Sequence, residues 1–593
     1  MVRAALVVVL VALIAVGGGY AWRTRSSSTK PASGEVTRIV SSKSIAVLPF
    51  ANMSEEKDAN AFFADGIHED ILTNLTRIAE LRVVSRSSVM AYRETTKPGP
   101  QIGTELGVAY LLEGSVRRAG NKVRVTGQLV NARTNEQVWA NSYDRDLTDI
   151  FAIQTALAQE IAGALSAAIS PEVRKQLDRS PTGSSSAYDL YLQARNVRNR
   201  YYTESPAGLG QIEKLLTDAL KIDPDFAVAR GELAIVHAKK IFWGQDCSAV
   251  RKTQAEAAMA EAIRLAPNDP EVIRQSALFA YLAYRDYDRA TAIYEDIIRQ
   301  QPNDPTGYGF LALIQRRQGR KVESLRNLLR AVELDPGNLT YLNNIRWTQK
   351  NRRQWPEMLA TQRRIMALLP GSLQEEFVMA EFSRLATGSF KPQDDLLARL
   401  TPIQRESPLA LKWRKYWVMQ RGDFVEYALL DRRLPYDAGT QTEVDAAIEA
   451  AVVYLSMRDP AAARARIGNH LAETRQLLSK EPDNYAVQMQ VATMEAIAGN
   501  ADDAVRLARS VMATMPESRD AIYGASFRFD LARVYALVGD KEHALEELTR
   551  LVHAPTQLFN VAELREDPAI CALNADPRFA ALCNDPKNNA RLP

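Results

Sequence analysis

From Ala59 to Ala79 the large apolar side chains fall at Phe63, Ile67, Ile71, Leu75 and Ile78, at spacings of four, four, four and three. That is the period of an amphipathic helix with one buried stripe. On either side, SIAVLPF (44–50) and LRVVS (81–85) are apolar runs of strand length, the first stopped by Pro49, which cannot donate to a ladder. Ile102 to Val108 reads as a brief helix. YLLEGSVRRAG, NKVRVTGQLVNA and EQVWANSYDRD then alternate apolar and polar positions, which predicts three antiparallel strands with turns at 119–122 and 133–135. Asp149 to Ile169 closes the set as a helix, capped by Asp149 or Thr148 and ended before Pro171. Residues 44–170 are expected to form one α/β domain, with a linker at 171–186.

After Ala187 the pattern is helical throughout. LTDALKIDPD (216–225), AEAIRLAPND (260–269) and LRAVELDPGN (329–338) are nearly the same helix ending. Pro302, Pro336 and Pro370 stand 34 residues apart, as do Pro482 and Pro516. A 34-residue period in helical sequence is that of the tetratricopeptide repeat, two antiparallel helices per unit. With Pro336 as position 32, positions 7, 15, 20 and 27 are Leu311, Gly319, Ser324 and Ala331. With Pro516 as 32, positions 8, 15, 20 and 24 are Ala492, Gly499, Ala504 and Ala508. Small residues let the paired helices approach, and glycine permits the left-handed turn between them. Units are expected to end at 224, 267, 302, 336, 370, 482, 516 and 555. Residues 371–450 are degenerate, with Gly422-Asp423 as one turn and Pro435 as one end. The solenoid is placed at 187–556, closed by a cap and tail at 557–593.

Ala4 to Trp22 carries no charge. As a helix it would be about 28 Å long, enough for the hydrocarbon core of a bilayer. Residues 1–22 are therefore expected to be a membrane anchor, and the Ser-rich 23–43 a flexible tether. A cleaved signal peptide is the rival reading. Arg23, Arg25 and Lys30 after the span, against Arg3 before it, favour a cytoplasmic body by charge alone. The predicted class is α+β: an N-terminal transmembrane helix, a small α/β domain and an all-α solenoid.

The net charge of +3 gives no bulk case for nucleic acid as a partner. Three cysteines include no C-x-x-C; Cys571 and Cys583 are close enough to bridge in an oxidising compartment and otherwise stand as separate thiols. No phosphate-binding glycine loop, zinc-protease helix or nucleophile elbow occurs, and the five histidines show no ligand spacing. No catalytic residue, metal or cofactor is expected. The run from Asp65 to Asp70 brings His68 beside carboxylates, a combination able to do acid–base work. It falls beside the apolar stripe, so a solvated helix face is expected. Arg117 and Arg118 could hold an anion, but are expected to be a charge pair at a hairpin edge.

Tetratricopeptide solenoids bind extended peptides through positions 2, 5, 9 and 12 of each first helix. From Leu339 these are Thr340, Asn343, Trp347 and Lys350; Arg316 is position 12 of the unit before. These five are the candidate residues for a protein or peptide partner, by charge-assisted hydrogen bonds and an aromatic contact.

The segments SIAVLPFANMS, FFADGIHEDILTNLTRI, LRVVSRSS, IGTELGVAYLLEGSVRRAGNKVRVTGQLVNARTNEQVWANSYDR and DIFAIQTALAQEIAGAL together resemble the TolB-amino-terminal-like (FlgO-like) domain. In bacteria that domain often precedes tetratricopeptide repeats. It follows a membrane helix in CadC-like winged-helix regulators, some class III adenylate cyclases and some serine/threonine kinases. In those proteins an output domain precedes the membrane helix; here only Met1 to Arg3 do. The resemblance thus implies the sensory or interaction half, with a periplasmic body at the bacterial inner membrane. The expected function is a membrane-anchored, non-enzymatic protein-binding scaffold. The alternative is the sensory half of a transmembrane signalling system without its cytoplasmic output domain.

Overall fold

The computed structural model describes residues 41–56, 60–200, 205–434, 441–553 and 560–590. The expected anchor, the tether up to residue 40, and the repeat ends at Pro435 and Pro555 lie outside these residues. Among the described residues no helix is long and apolar enough to cross a membrane.

The chain begins with β1 (Ser44–Val47), β2 (Ala51–Asn52), α1 (Ala61–Thr76), β3 (Arg82–Val83), α2 (Arg86–Val89) and α3 (Gly99–Leu106). The hairpins β4 (Tyr110–Ala119), β5 (Lys122–Asn131) and β6 (Gln137–Asp146) follow, then α4 (Ile150–Ala164). The sheet runs β3-β1-β4-β5-β6, with β2 beside β4. β1 is parallel to both neighbours, and β4, β5 and β6 are antiparallel, as their alternation predicts. The stripe Phe63, Ile67, Ile71, Leu75 and Ile78 is buried, packed with α4 over one sheet face. A smaller cluster with Ile102 and Leu106 of α3 covers the other.

The expected linker is partly helical. Ser170 accepts from the Val173 amide to start α5 (Pro171–Leu177), with proline at its first turn, where no intrahelical donor is lost.

Helix pairs follow: α6 and α7 (Ser185–Arg200, Pro206–Ile222), α8 and α9 (Ala227–Phe242, Ala249–Leu265), α10 and α11 (Pro270–Phe279 with a π-turn, Tyr287–Gln300), α12 and α13 (Pro305–Arg317, Lys321–Leu334), α14 and α15 (Leu339–Asn351, Trp355–Leu368). The degenerate stretch contains α16 (Leu373–Thr387), α17 (Lys391–Arg399), the one-turn α18 (Pro402–Arg405), α19 (Pro408–Gln420) and α20 (Phe424–Asp431). Then come α21 and α22 (Gln441–Ser456, Pro460–Lys480), α23 and α24 (Tyr485–Ala498, Ala501–Thr514), α25 and α26 (Ala521–Leu537, Lys541–His553). A terminal segment carries α27 (Val561–Glu566), α28 (Pro577–Asn584) and α29 (Pro586–Asn589).

The repeat register has its physical cause on view. Leu334 ends α13 just before Pro336, and Thr514 ends α24 just before Pro516. Gly319, Gly499 and Gly539 turn the chain at φ 77°, 100° and 86°. The small Ala312 and Ser324 bring α12 and α13 close enough for the Ser324 hydroxyl to donate to the Ala312 carbonyl at 2.7 Å.

The α/β domain and the first repeats share one hydrophobic core, from Ile45 through Phe63 to Leu192, Phe226 and Val272. Here the run Asp65–Asp70 departs from the solvated face expected of it. His68 is 1 % exposed, with Nε2 2.9 Å from the Val47 carbonyl, and burial holds it down to about 4. Asp70 accepts from the Tyr188 hydroxyl, from Gln154 at 2.9 Å and from Arg195 at 2.6 Å. Glu69 meets Arg195 at 3.1 Å and Arg198 at 3.2 Å. Burial alone would raise the Glu69 carboxyl, but Arg195, Arg198 and Arg86 hold it down to about 2. The reason is tertiary: α6 lies along this face of α1 and supplies Arg195 and Arg198. Arg118, expected at a hairpin edge, instead grips Asp189 of α6 with both nitrogens, at 3.1 and 2.7 Å, whereas Arg117 stays exposed beside Glu55 at 3.7 Å.

The far end of the solenoid returns to its beginning. Asp520 is fully buried, caps α25 at the Ile522 amide, and accepts from Tyr287 at 2.7 Å and Arg317 at 3.1 Å. The Arg317 guanidinium lies 4.9 Å over Phe242 and 4.6 Å over Tyr523. Asn484 donates to the Gly244 carbonyl at 2.9 Å, in the long loop between α8 and α9.

Removing one partner of a buried ion cluster leaves an uncompensated charge, at a cost of about 3–5 kcal/mol. Arg195→Ala is therefore expected to lower unfolding stability by about that much, read by urea denaturation. Arg124→Ala, whose Asp144 pair is exposed, should cost under about 1 kcal/mol. Equal effects of the two would contradict the assignment.

Candidate functional site: the wall of first helices

The first helices α12, α14, α16 and α19 touch in succession. Arg316 of α12 donates to Asn344 of α14 at 2.8 Å and lies 4.6 Å over the Trp347 ring. Arg346 of α14 pairs with Glu375 of α16 at 2.8 Å. Phe377 of α16 stacks on Trp413 of α19 with ring centres 5.8 Å apart and planes at 3°.

The five sequence candidates separate into three groups. Arg316 and Trp347 come together, and burial lowers the Arg316 guanidinium to about 10. Asn343 is half-buried on the same helix, its Oδ1 enclosed without a hydrogen-bond partner among the described residues. Thr340 is exposed in the first turn, where its amide is capped by Asn338 at 3.0 Å. Lys350 points the other way along the wall, into an ion pair with Glu563 of the terminal segment.

Beside Lys350 opens a pocket of about 480 Å³. Counting each helix from its first residue, positions 2, 5 and 9 of α19 are Leu409, Lys412 and Tyr416. Positions 2 and 9 of α16 are Gln374 and Glu381, and position 12 of α14 is Lys350. All six line the pocket, so the positions that carry ligand in a regular repeat converge here across the degenerate region. Its apolar floor is Phe382, Leu385 and Trp413, with the Trp413 indole donating to Gln374 at 3.4 Å. A concave, mostly apolar hollow with a few placed charges is what a side-chain anchor needs. Apart from Lys350, these residues are not among the sequence candidates, because the proline spacing fails there. The available signal was KWRKYW (412–417), with aromatics at 413, 416 and 417.

The terminal segment forms the pocket's edge. Asn560 and Glu563 make a reciprocal capping box that starts α27. Glu566 pairs with Arg384 at 2.7 Å, and Arg384 also holds Glu381 at 2.8 Å. Burial raises the Glu566 carboxyl to about 7, outweighing Arg384, with Glu381 and Glu563 adding repulsion. The three cysteines are free thiols; burial pushes Cys247 up to about 12. Among the described residues no group of His, Cys, Asp and Glu is arranged to hold a metal ion.

The architecture is thus a small sheet domain followed by a long helical repeat region of the tetratricopeptide type. Residues 41–160 match the family described as the second domain of HilA/YgeH-like transcriptional regulators. A stretch of 220 residues is 34% identical to putative adenylate cyclase 3 of Rhizobium meliloti (strain 1021). That match spans 37% of this chain and 37% of the cyclase's length. Among solved structures, the crystal structure of the P58(IPK) TPR domain is 14% identical, covering 67% of this chain and 94% of that one, with a TM-score of 0.20. At that score the likeness carries no weight, and the repeat assignment rests on the helix pairs described above.

A carboxyl raised in the folded state costs stability once it must ionise. The protonated state is fully favoured below the unfolded value near 4.5, and that advantage is lost as pH rises through about 7. Glu566→Gln is expected to be close to neutral at pH 5 and to stabilise by about 1–3 kcal/mol at pH 8. Comparing variant with parent at each pH cancels the opposite trends of His68 and His237, both lowered to about 4. Loss of stability in the variant at pH 8 would overturn this reading.

Proposed function

We propose that this chain is a non-enzymatic peptide-binding scaffold in a regulatory system. The reading is carried by one observation: a pocket built from equivalent positions of three consecutive first helices. The ligand is a peptide that seats a bulky apolar side chain against Trp413 and presents a carboxylate to Lys412, which is exposed. Arg316, Thr340, Asn343 and Trp347 extend the contact along the same wall. Residues 4–22, uncharged over a bilayer's length, anchor the chain in a bacterial inner membrane, with the body in the periplasm. The α/β domain is the TolB-amino-terminal-like element of this arrangement.

A second reading is favoured by the regulator-type match and by the cyclase relative. In it the chain is the sensory part of a transmembrane signalling protein. An in-frame output domain upstream of the Met1 codon would support it over the scaffold.

Selection of a random peptide library on the full chain tests the first reading. Enriched peptides should share a bulky apolar residue near a carboxylate. Trp413→Ala should weaken them about 10–100-fold, roughly 1.4–3 kcal/mol, with helical content unchanged. Enrichment without a common motif, or equal binding by the variant, would remove the site.

A further inference from the structure

A second hollow lies between the α/β domain and the solenoid. The two bodies join along two seams. One is the network of Glu69, Asp70, Arg195 and Arg198. The other joins Arg82 to the Leu334 carbonyl at 2.7 Å and Ser88 to Asp335 at 2.5 Å. Between the seams the surfaces separate into a cleft with lobes of about 820 and 610 Å³. Arg77, at the C-terminal cap of α1, and Arg274 of α10 line both lobes. The larger lobe is also walled by Tyr191, Tyr294 and Phe310.

The cleft is lined by carboxylates as well as by arginines and lysines. Glu69, Asp70 and Glu232 hold Arg195 or Arg198, and Glu271 holds Arg274 itself. Asp269 caps α10 at the Glu271 and Val272 amides and lies 4.0 Å from Arg179. Arg77 has only Asn74 Oδ1 at 3.3 Å and the Gln176 carbonyl at 3.4 Å, with no carboxylate in ion-pair range among the described residues. Lys175 and Arg179 stand exposed at the rim. A second observation points the same way. Tyr294 is fully buried in the wall, stacked on Phe310 at 5.2 Å, and its hydroxyl has no hydrogen-bond partner among the described residues. A half-buried guanidinium with no carboxylate in ion-pair range and a buried hydroxyl without a hydrogen-bond partner are both groups a ligand can complete.

We infer that the cleft binds a small organic carboxylate with an apolar body, its carboxylate held by Arg77 and Arg274 and its body against the tyrosine wall. The volume suits it, since ligand sites are typically about 300–1,000 Å³. Arginine forks match a carboxylate's two oxygens. Such a ligand touches α1 on one side and α10 on the other, so it bridges the α/β domain and the repeats.

The test is calorimetry and thermal shift on the full chain. The probes are benzoate, phenylacetate and octanoate, with benzylamine, octylamine and inorganic phosphate as matched controls. At least one carboxylate should bind saturably, at least tenfold tighter than its amine and than phosphate. Arg77→Gln and Arg274→Gln should each weaken it at least tenfold, while Arg77→Lys, which keeps the charge, should retain more of the affinity than Arg77→Gln. No saturable carboxylate binding, tighter binding of the amines, phosphate binding as tight as the carboxylates, or a carboxylate site unaffected by both glutamine variants would each overturn the inference. The exposed-pair variant Arg124→Ala should bind as the parent does.

Discussion

A helix hairpin buries one side only, so each repeat needs a neighbour on either side to exclude water. Every other feature of this chain answers to that constraint. At one end the open face of the first pair is closed by α1 of the α/β domain, and the two halves share a core rather than meeting across a hinge. At the other end the terminal segment turns back over the last pairs, with Leu564, Ile570, Leu573 and Phe579 buried against Leu548 and Leu551. A solenoid with both ends covered presents its charges and pockets along the wall of first helices.

Charge burial follows from the same closure. Where α6 meets α1, and where α25 meets α12, the joined faces carry acids and arginines together. Burying these groups is tolerable because each acid receives several donors, as Asp70 does from Tyr188, Gln154 and Arg195. The result is directional. Apolar surfaces alone would tolerate sliding, whereas a buried Asp520 held by Tyr287 and Arg317 accepts one arrangement of the late repeats on the early ones.

Much of the fold was readable in the chain because its signals are local. The 34-residue proline spacing, the glycines at 319, 499 and 539 and the period-two strands act within a few residues of where they are written. The contacts that surprised are separated in sequence. Nothing near Glu69 and Asp70 announces Arg195 and Arg198, so a buried acidic face looks like a wet one. The same holds for Arg118, whose partner Asp189 lies beyond the linker. Residues 371–431 were obscure for another reason: α17, α18 and α20 are short, so the proline clock stops although the first helices keep their ligand-facing spacing. Of the five predicted site residues, Lys350 lines the pocket, and Arg316, Thr340, Asn343 and Trp347 are not among its lining.

The proposed binding site lies on the wall of first helices, in a region where the repeat sequence is least regular. Irregularity there is compatible with stability because the neighbours on both sides remain well-formed pairs. Trp413, Tyr416 and Phe382 line the pocket there, and Trp413 also stacks on Phe377. The most direct measurement is hydrogen–deuterium exchange of the full chain with and without a selected peptide. Slowed exchange confined to 339–351, 373–387 and 408–420 is the predicted result. Slowed exchange in 61–200, with those three helices unchanged, would contradict it.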